Sequence, residues 1–127
     1  MKLMKHILTV IKSTRPSFLI LSPICIFLGY SSAILSGADP EQYLVTLVFV
    51  GAICAHISVN TFNEYLDFKS GLDQITHKTP FSGGSGALPE NPGMASSVLA
   101  VAILSIVIIC YLAFILSTSE VCHYCYC

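Results

Sequence analysis

Along the 127 residues, three long apolar runs alternate with segments dense in polar side chains. The first run, SFLILSPICIFLGYSSAILS, covers residues 17–36. The second opens on YLVTLVFVGAIC, covers 43–67 and turns polar from His56 onward. The third, ASSVLAVAILSIVIICYLAFILS, covers 95–117 and holds nothing more polar than serine. Each is close to the roughly 20 residues that cross a bilayer's hydrocarbon as an α-helix. The pattern therefore predicts an all-α, polytopic membrane bundle of three transmembrane helices forming a single membrane domain over 1–127. A loop over 68–94 joins the second and third helices, and a cysteine-containing tail, 118–127, is left unassigned. Pro23 and Gly29 fall inside the first run, where lipid-embedded helices tolerate them, and a kink is expected at Pro23.

Composition agrees with this reading. The chain is 54% hydrophobic and 10% charged, far below the charged quarter of a soluble globular domain. A net charge of −1 gives no basis for a nucleic-acid partner. The basic opening and the small residues of SSAILSGA suggest a cleaved signal peptide as an alternative for the first run. The run is longer than a signal core and two more spanning runs follow, so a retained helix is the simpler reading. Cys25, Cys54 and Cys110 lie in apolar runs, where a thiol behaves as a small hydrophobe.

Charge placement sets the orientation. Lys2, Lys5, Lys12 and Arg15 precede the first helix, and Lys69 and Lys78 lie between the second and third. The short SGADPEQ turn carries Asp39 and Glu41 and no basic residue. Under the positive-inside rule, the amino terminus and the 68–94 loop are expected in the cytoplasm and the chain in the cell membrane.

The chemistry of the chain concentrates at the polar end of the second helix. At 100° per residue, Asn60, Asn63 and Asp67 fall within about 60° of one another, with Glu64 beside them and His56 one turn deeper. Amides and carboxylates are costly against lipid, so this ridge should face water, a partner helix or a bound ion. The simpler alternative is that the ridge only marks where the helix emerges into water. Gly71 is suited to the left-handed conformation that ends helices, and a break there would let Asp73 fold back towards Asp67. Carboxylates with amide oxygens make a hard, oxygen-rich set that suits Mg²⁺ rather than zinc, and Mg²⁺ completes its shell with water and substrate phosphates. Lys69, Lys78, Thr79, Ser82 and the glycine-rich FSGGSG then become candidate contacts for a phosphate. A Gly/Ser run is also what a plain flexible linker contains.

The segment NTFNEYLDFKSGLDQITHKTPFSGGSG resembles the first aspartate-rich motif and following loop of the UbiA superfamily of intramembrane prenyltransferases, in particular the branch that makes menaquinone-type quinones. RPSFLILSP, from Arg15 to Pro23, resembles the opening of that family's first helix, so the likeness covers most of residues 15–93. The resemblance implies transfer of a polyprenyl group from its diphosphate to an aromatic acceptor, with Mg²⁺ as cofactor. It implies that Asn63 and Asp67 hold Mg²⁺ on the diphosphate, that Asp73 is the later carboxylate, and that Lys78 lies near a basic diphosphate contact. Asn60 matches the preceding asparagine, and Glu64 stands where many members carry aspartate, which makes it a further metal ligand. Asn63, Asp67 and Asp73 are thus the expected catalytic residues, with Asn60, Lys69, Lys78, Thr79 and Ser82 towards the diphosphate. Phe62, Tyr65, Phe68 or Phe81 could shield an allylic cation, although ordinary packing or interfacial anchoring is the simpler account of any one of these aromatics.

Family members are much longer bundles with a second aspartate motif, whereas beyond Pro92 the only acid here is Glu120. The chain is therefore expected to be an amino-terminal portion, incomplete as an enzyme, whose remaining helices would be supplied by a missing carboxy-terminal part. The tail motif around Cys122, His123, Cys125 and Cys127 matches nothing in the family. The competing readings are a small non-catalytic membrane subunit that uses the polar ridge for helix pairing, and an inert fragment.

Overall fold

A computed structural model describes residues 2–75 and 84–125, with side chains at 3–73, 75 and 84–118. Lys78, Thr79, Ser82 and Phe81, and the side chains of Cys122, His123, Cys125 and Cys127, lie outside the described residues. The chain forms α1 (Lys2–Ser13), α2 (Pro16–Leu19), α3 (Leu21–Leu35), α4 (Gln42–Ser70), α5 (Leu72–Ile75), α6 (Ala87–Glu90), a 3-10 turn (Pro92–Met94) and α7 (Ala95–Cys125), with no strand among the described residues. Three segments are long and apolar enough to cross a membrane: Pro16–Leu35, Gln42–Ser70 and Pro92–Thr118. The protein is an all-α membrane bundle.

The first span is interrupted at Ile20, between α2 and α3, one turn before Pro23. Proline has no N–H for the carbonyl four residues back, here that of Leu19, and its ring crowds that carbonyl. The disturbance consequently falls on the turn preceding the proline, and the flanking Ile24 N–H to Ile20 carbonyl bond is stretched to 3.4 Å. At the other end of the second span, Gly71 (φ 77°, ψ 4°) takes the left-handed conformation expected of it and ends α4. The third helix runs further than the 95–117 expected for it, continuing through Cys125, so most of the unassigned tail is helical backbone.

The principal packing is between α4 and α7. Val98, Ala102, Ser105 and Leu112 are buried along α7, spaced by four, three and seven residues, so they form one stripe. On α4 the buried positions are Ser58, Thr61 and Glu64, while a Cβ added at Gly51 would meet the Leu112 side chain at 3.8 Å. Lipid tails are as apolar as leucine, so hydrophobicity does not drive helices together within a membrane. Close packing of small residues and interhelical hydrogen bonds do. Ser58 Oγ reaches across to the carbonyl of Ala102 at 3.4 Å, and the Thr61 hydroxyl is satisfied within its own helix by Ile57 O at 2.7 Å. Ala102 is fully buried in this seam. Ala102→Leu is expected to destabilise the chain by about 1–3 kcal/mol through overpacking. Unfolding in mixed micelles would measure it, and a neutral result would mean the seam is looser than described.

A small core closes the basic end of the bundle. Leu88 from α6, Met94 from the 3-10 turn and Val98 from α7 are buried together, with Val10, Phe68 and Ala95 packed against them. Lys12 Nζ pairs with Glu90 Oε2 at 2.9 Å across this region. Both side chains are substantially exposed, so the pair contributes at most about 1 kcal/mol and mainly fixes register. Outside the seam and this core, large apolar side chains such as Ile24, Phe27, Ile103, Leu104 and Phe114 are exposed, as lipid-facing positions require.

Candidate functional site

The polar ridge of α4 divides between two environments. Thr61 and Phe68 lie on the side of α4 turned towards α7 and the basic-end core, and Glu64 stands about 60° from Asp67 on the shoulder nearest that side. Glu64 is 0% exposed. Its carboxylate accepts hydrogen bonds from the Ser85 N–H (2.8 Å), the Ser85 hydroxyl (2.7 Å) and the Ala87 N–H (3.2 Å). Arg15 Nη2 lies 4.0 Å from Glu64 Oε2. An ionised carboxylate needs such partners to be buried at all.

This geometry corrects the expectation for Glu64 as a metal ligand. Its oxygens are turned into the fold and engaged by three protein donors, so they hold the chain on either side of Gly86 against α4. It also changes the reading of the glycine-rich segment. Gly86 is left-handed (φ 73°), and the N–H groups of Ser85 and Ala87 on either side of it converge on an anion, as such backbone nests do. The anion they grip is the protein's own Glu64, not a phosphate.

Asp73, in α5, is 6% exposed. Its carboxylate packs on the bare face of Gly84, where an added Cβ would lie 2.8 Å from the Asp73 carboxyl carbon. Glu64 and Asp73 thus secure neighbouring positions, 85–87 and 84, of the same returning segment. The turn at Gly71 folds Asp73 back against Gly84, whereas the sequence pattern aims it towards Asp67.

Asn63 is exposed and Asp67 is partly exposed, one turn apart on α4. Among the described residues, no three His, Cys, Asp or Glu side chains form a group able to hold a metal ion. The expected set of Asn63, Glu64, Asp67 and Asp73 therefore does not act as one cage. The accessible hard-oxygen donors are Asn63 and Asp67. Mg²⁺ commonly takes only one or two protein carboxylates, with water and phosphate completing its octahedron.

Asn60 turns inward. Its amide donates to the carbonyl of His56 at 3.0 Å and to that of Thr14 at 3.4 Å, which ties α4 to the turn after α1. It is spent on the fold and was expected on the diphosphate. Lys69 Nζ lies 5.8 Å from the centre of the Tyr65 ring, a cation–π contact on the outer surface. His56 Nδ1 faces Ser22 Oγ at 3.5 Å, while His56 Nε2 is buried without a hydrogen-bond partner among the described residues. Ser22 also lines an apolar cleft of about 640 Å³ between α3 and α4, with Cys25, Gly29, Leu44 and Val48 among its walls. On α4 the cleft is lined from Leu44 to Ala52, about three turns short of Asn63.

Arg15, Ser85 and Ala87 are the site residues that sequence reasoning did not single out individually. Arg15 adopts φ 51°, ψ 66°, the one left-handed non-glycine among the described residues. A strained turn of this kind costs of order 1 kcal/mol or more and persists where the surroundings over-determine it. Here the turn directs the guanidinium towards Glu64. Compared with known proteins, the chain matches no family model, no curated protein and no solved structure.

Proposed function

We propose that this chain binds the diphosphate end of a polyprenyl diphosphate as Mg²⁺ complex, as part of a prenyltransferase that alkylates an aromatic acceptor in quinone biosynthesis. The observation that carries the reading is the accessible Asn63–Asp67 pair at the polar end of a spanning helix, which also lines an apolar cleft beginning about three turns deeper, at Ala52. A diphosphate joined to a long hydrocarbon needs this pairing of hard-oxygen donors and lipid-depth groove. Asn63 and Asp67 would hold Mg²⁺, which when bound neutralises charge developing on the leaving diphosphate. Glu64 and Asp73 act as positioning residues that fix the returning segment at 84–87 beside that pair. Lys69, Lys78, Thr79 and Ser82 remain the candidates for the outer phosphate oxygens.

In this reading the basic end faces the cytoplasm, the membrane is the cell membrane, and the isoprenoid enters laterally from lipid. A second acidic cluster for the other metal ion would come from additional helices, of the same protein or of a partner. Resemblance to the UbiA-type first aspartate motif supports the assignment alongside the geometry.

Calorimetric titration of geranylgeranyl diphosphate into the chain held in lipid nanodiscs tests it. Saturable binding is expected with Mg²⁺ and not with chelator. Asp67→Ala should weaken it on the order of 100-fold, the equivalent of losing about 3 kcal/mol from a charge-assisted contact. Binding indifferent to both Mg²⁺ and Asp67 would instead favour a helix-pairing subunit.

A further inference from the structure

The amino-terminal helix is docked inside out. Thr9 and Ser13 of α1 are 4% and 0% exposed, packed where α1 meets α6, the 3-10 turn and α7. Their hydroxyls are satisfied within α1, Thr9 by the Lys5 carbonyl at 2.9 Å and Ser13 by the Thr9 carbonyl at 3.0 Å. Beside Val10, which packs on the Leu88 core, a face of small hydroxyl residues is therefore buried without an orphaned group. The opposite face carries Leu3, Met4, Ile7, Leu8 and Ile11, exposed by 49–73%. At 100° per residue these five span an arc of about 140°, with Lys5 and Lys12 just beyond one edge and His6 beyond the other.

In water this arrangement would be reversed, because burying the leucine side and exposing the hydroxyl side gains apolar burial. It is favourable only if the medium outside α1 is apolar. The left-handed Arg15 breaks the helix before α2, so α1 is not a continuation of the first span. It sits at the end of the bundle where Arg15 and the Lys12–Glu90 pair are found. Exposed Phe18, Ile20 and Leu21 continue the apolar surface into the spanning region.

We propose that α1 lies along the membrane interface, its five apolar side chains entering the boundary between headgroups and acyl chains, with Lys5 beside the phosphates of an anionic leaflet. Charge decides between lipid and a second copy of the chain. Two copies joined through this face would add the unneutralised charge of a second Lys5 to the interface, Lys12 being paired with Glu90, whereas anionic lipid neutralises it. The inference does not depend on diphosphate binding.

The sequence has no tryptophan, so Leu8→Trp gives the full chain a single fluorescent reporter on this face. In vesicles of phosphatidylcholine and phosphatidylglycerol, its emission should shift to the blue, be quenched by lipids brominated near the headgroup, and resist aqueous iodide. Lys5→Glu in the same background should reduce the quenching when phosphatidylglycerol is present. Ile103→Trp, on the third span, must be quenched by lipids brominated deep in the chain and so reports correct insertion. Given that insertion, iodide-accessible emission from Leu8→Trp would overturn the proposal in favour of water. Protection from both quenchers would overturn it in favour of a protein partner.

Discussion

Replacing Glu64 by leucine is expected to cost the folded chain about 3–5 kcal/mol, because the donors it satisfies are left without an acceptor at roughly 1–3 kcal/mol each. The Ser85 N–H and hydroxyl lose their acceptor, and Arg15 loses the anion 4.0 Å away. Ala87 suffers less, because its N–H is shared with Ser85 Oγ at 3.1 Å. Glu64→Gln keeps the shape and one carbonyl acceptor but sets an NH₂ group against protein donors, so a smaller loss of roughly 1–3 kcal/mol is expected. Denaturant unfolding in micelles, followed by far-ultraviolet circular dichroism, would read both. The comparison also separates two roles for this carboxylate. A metal ligand would lose diphosphate binding in Glu64→Gln with stability intact, whereas an internal anchor loses stability first. A Glu64→Leu chain as stable as the parent would rule out the anchoring role.

Gly84→Val should be the next most damaging change, at about 1–3 kcal/mol. An added Cβ already falls against the Asp73 carboxylate, and Asp73 is itself buried, so the carboxylate has to move for the new side chain to fit. The distinguishing result is a coupling. In an Asp73→Ala background the same substitution should lose much of its effect, giving an interaction energy of order 1 kcal/mol in a double-mutant cycle. Strictly additive effects would mean that Gly84 is needed for its backbone and not for its contact with Asp73.

Much of the architecture was legible because membrane spanning depends on local properties. An apolar run of sufficient length must be helical in lipid, where every backbone polar group has to be satisfied within the segment. Hence the three spans, the proline disturbance in the first and the glycine stop at Gly71 follow from short stretches of chain. The interfacial face of α1 was present in the same way, as Leu3, Met4, Ile7, Leu8 and Ile11 at helical spacing. The lysines interleaved with them carry the orientation signal as well, so one segment holds both patterns.

The site was legible only as a set of residues. That His56, Asn60, Asn63, Glu64 and Asp67 share one side of α4 follows from the helical repeat. Which of them faces water and which is consumed by the fold does not. Asn60 is taken by Thr14, which lies 46 positions away, and Glu64 by Ser85, which lies 21 positions away. Nothing in the spacing along α4 announces either partner. Sequence therefore determined a membrane-spanning helical chain with its acids and amides gathered at one end. Tertiary structure alone decided that Glu64 is an internal anchor while Asn63 and Asp67 stay open. The physical reason is that a carboxylate's role depends on which donors reach it, and here those donors come from backbone N–H groups oriented by a left-handed glycine far along the chain.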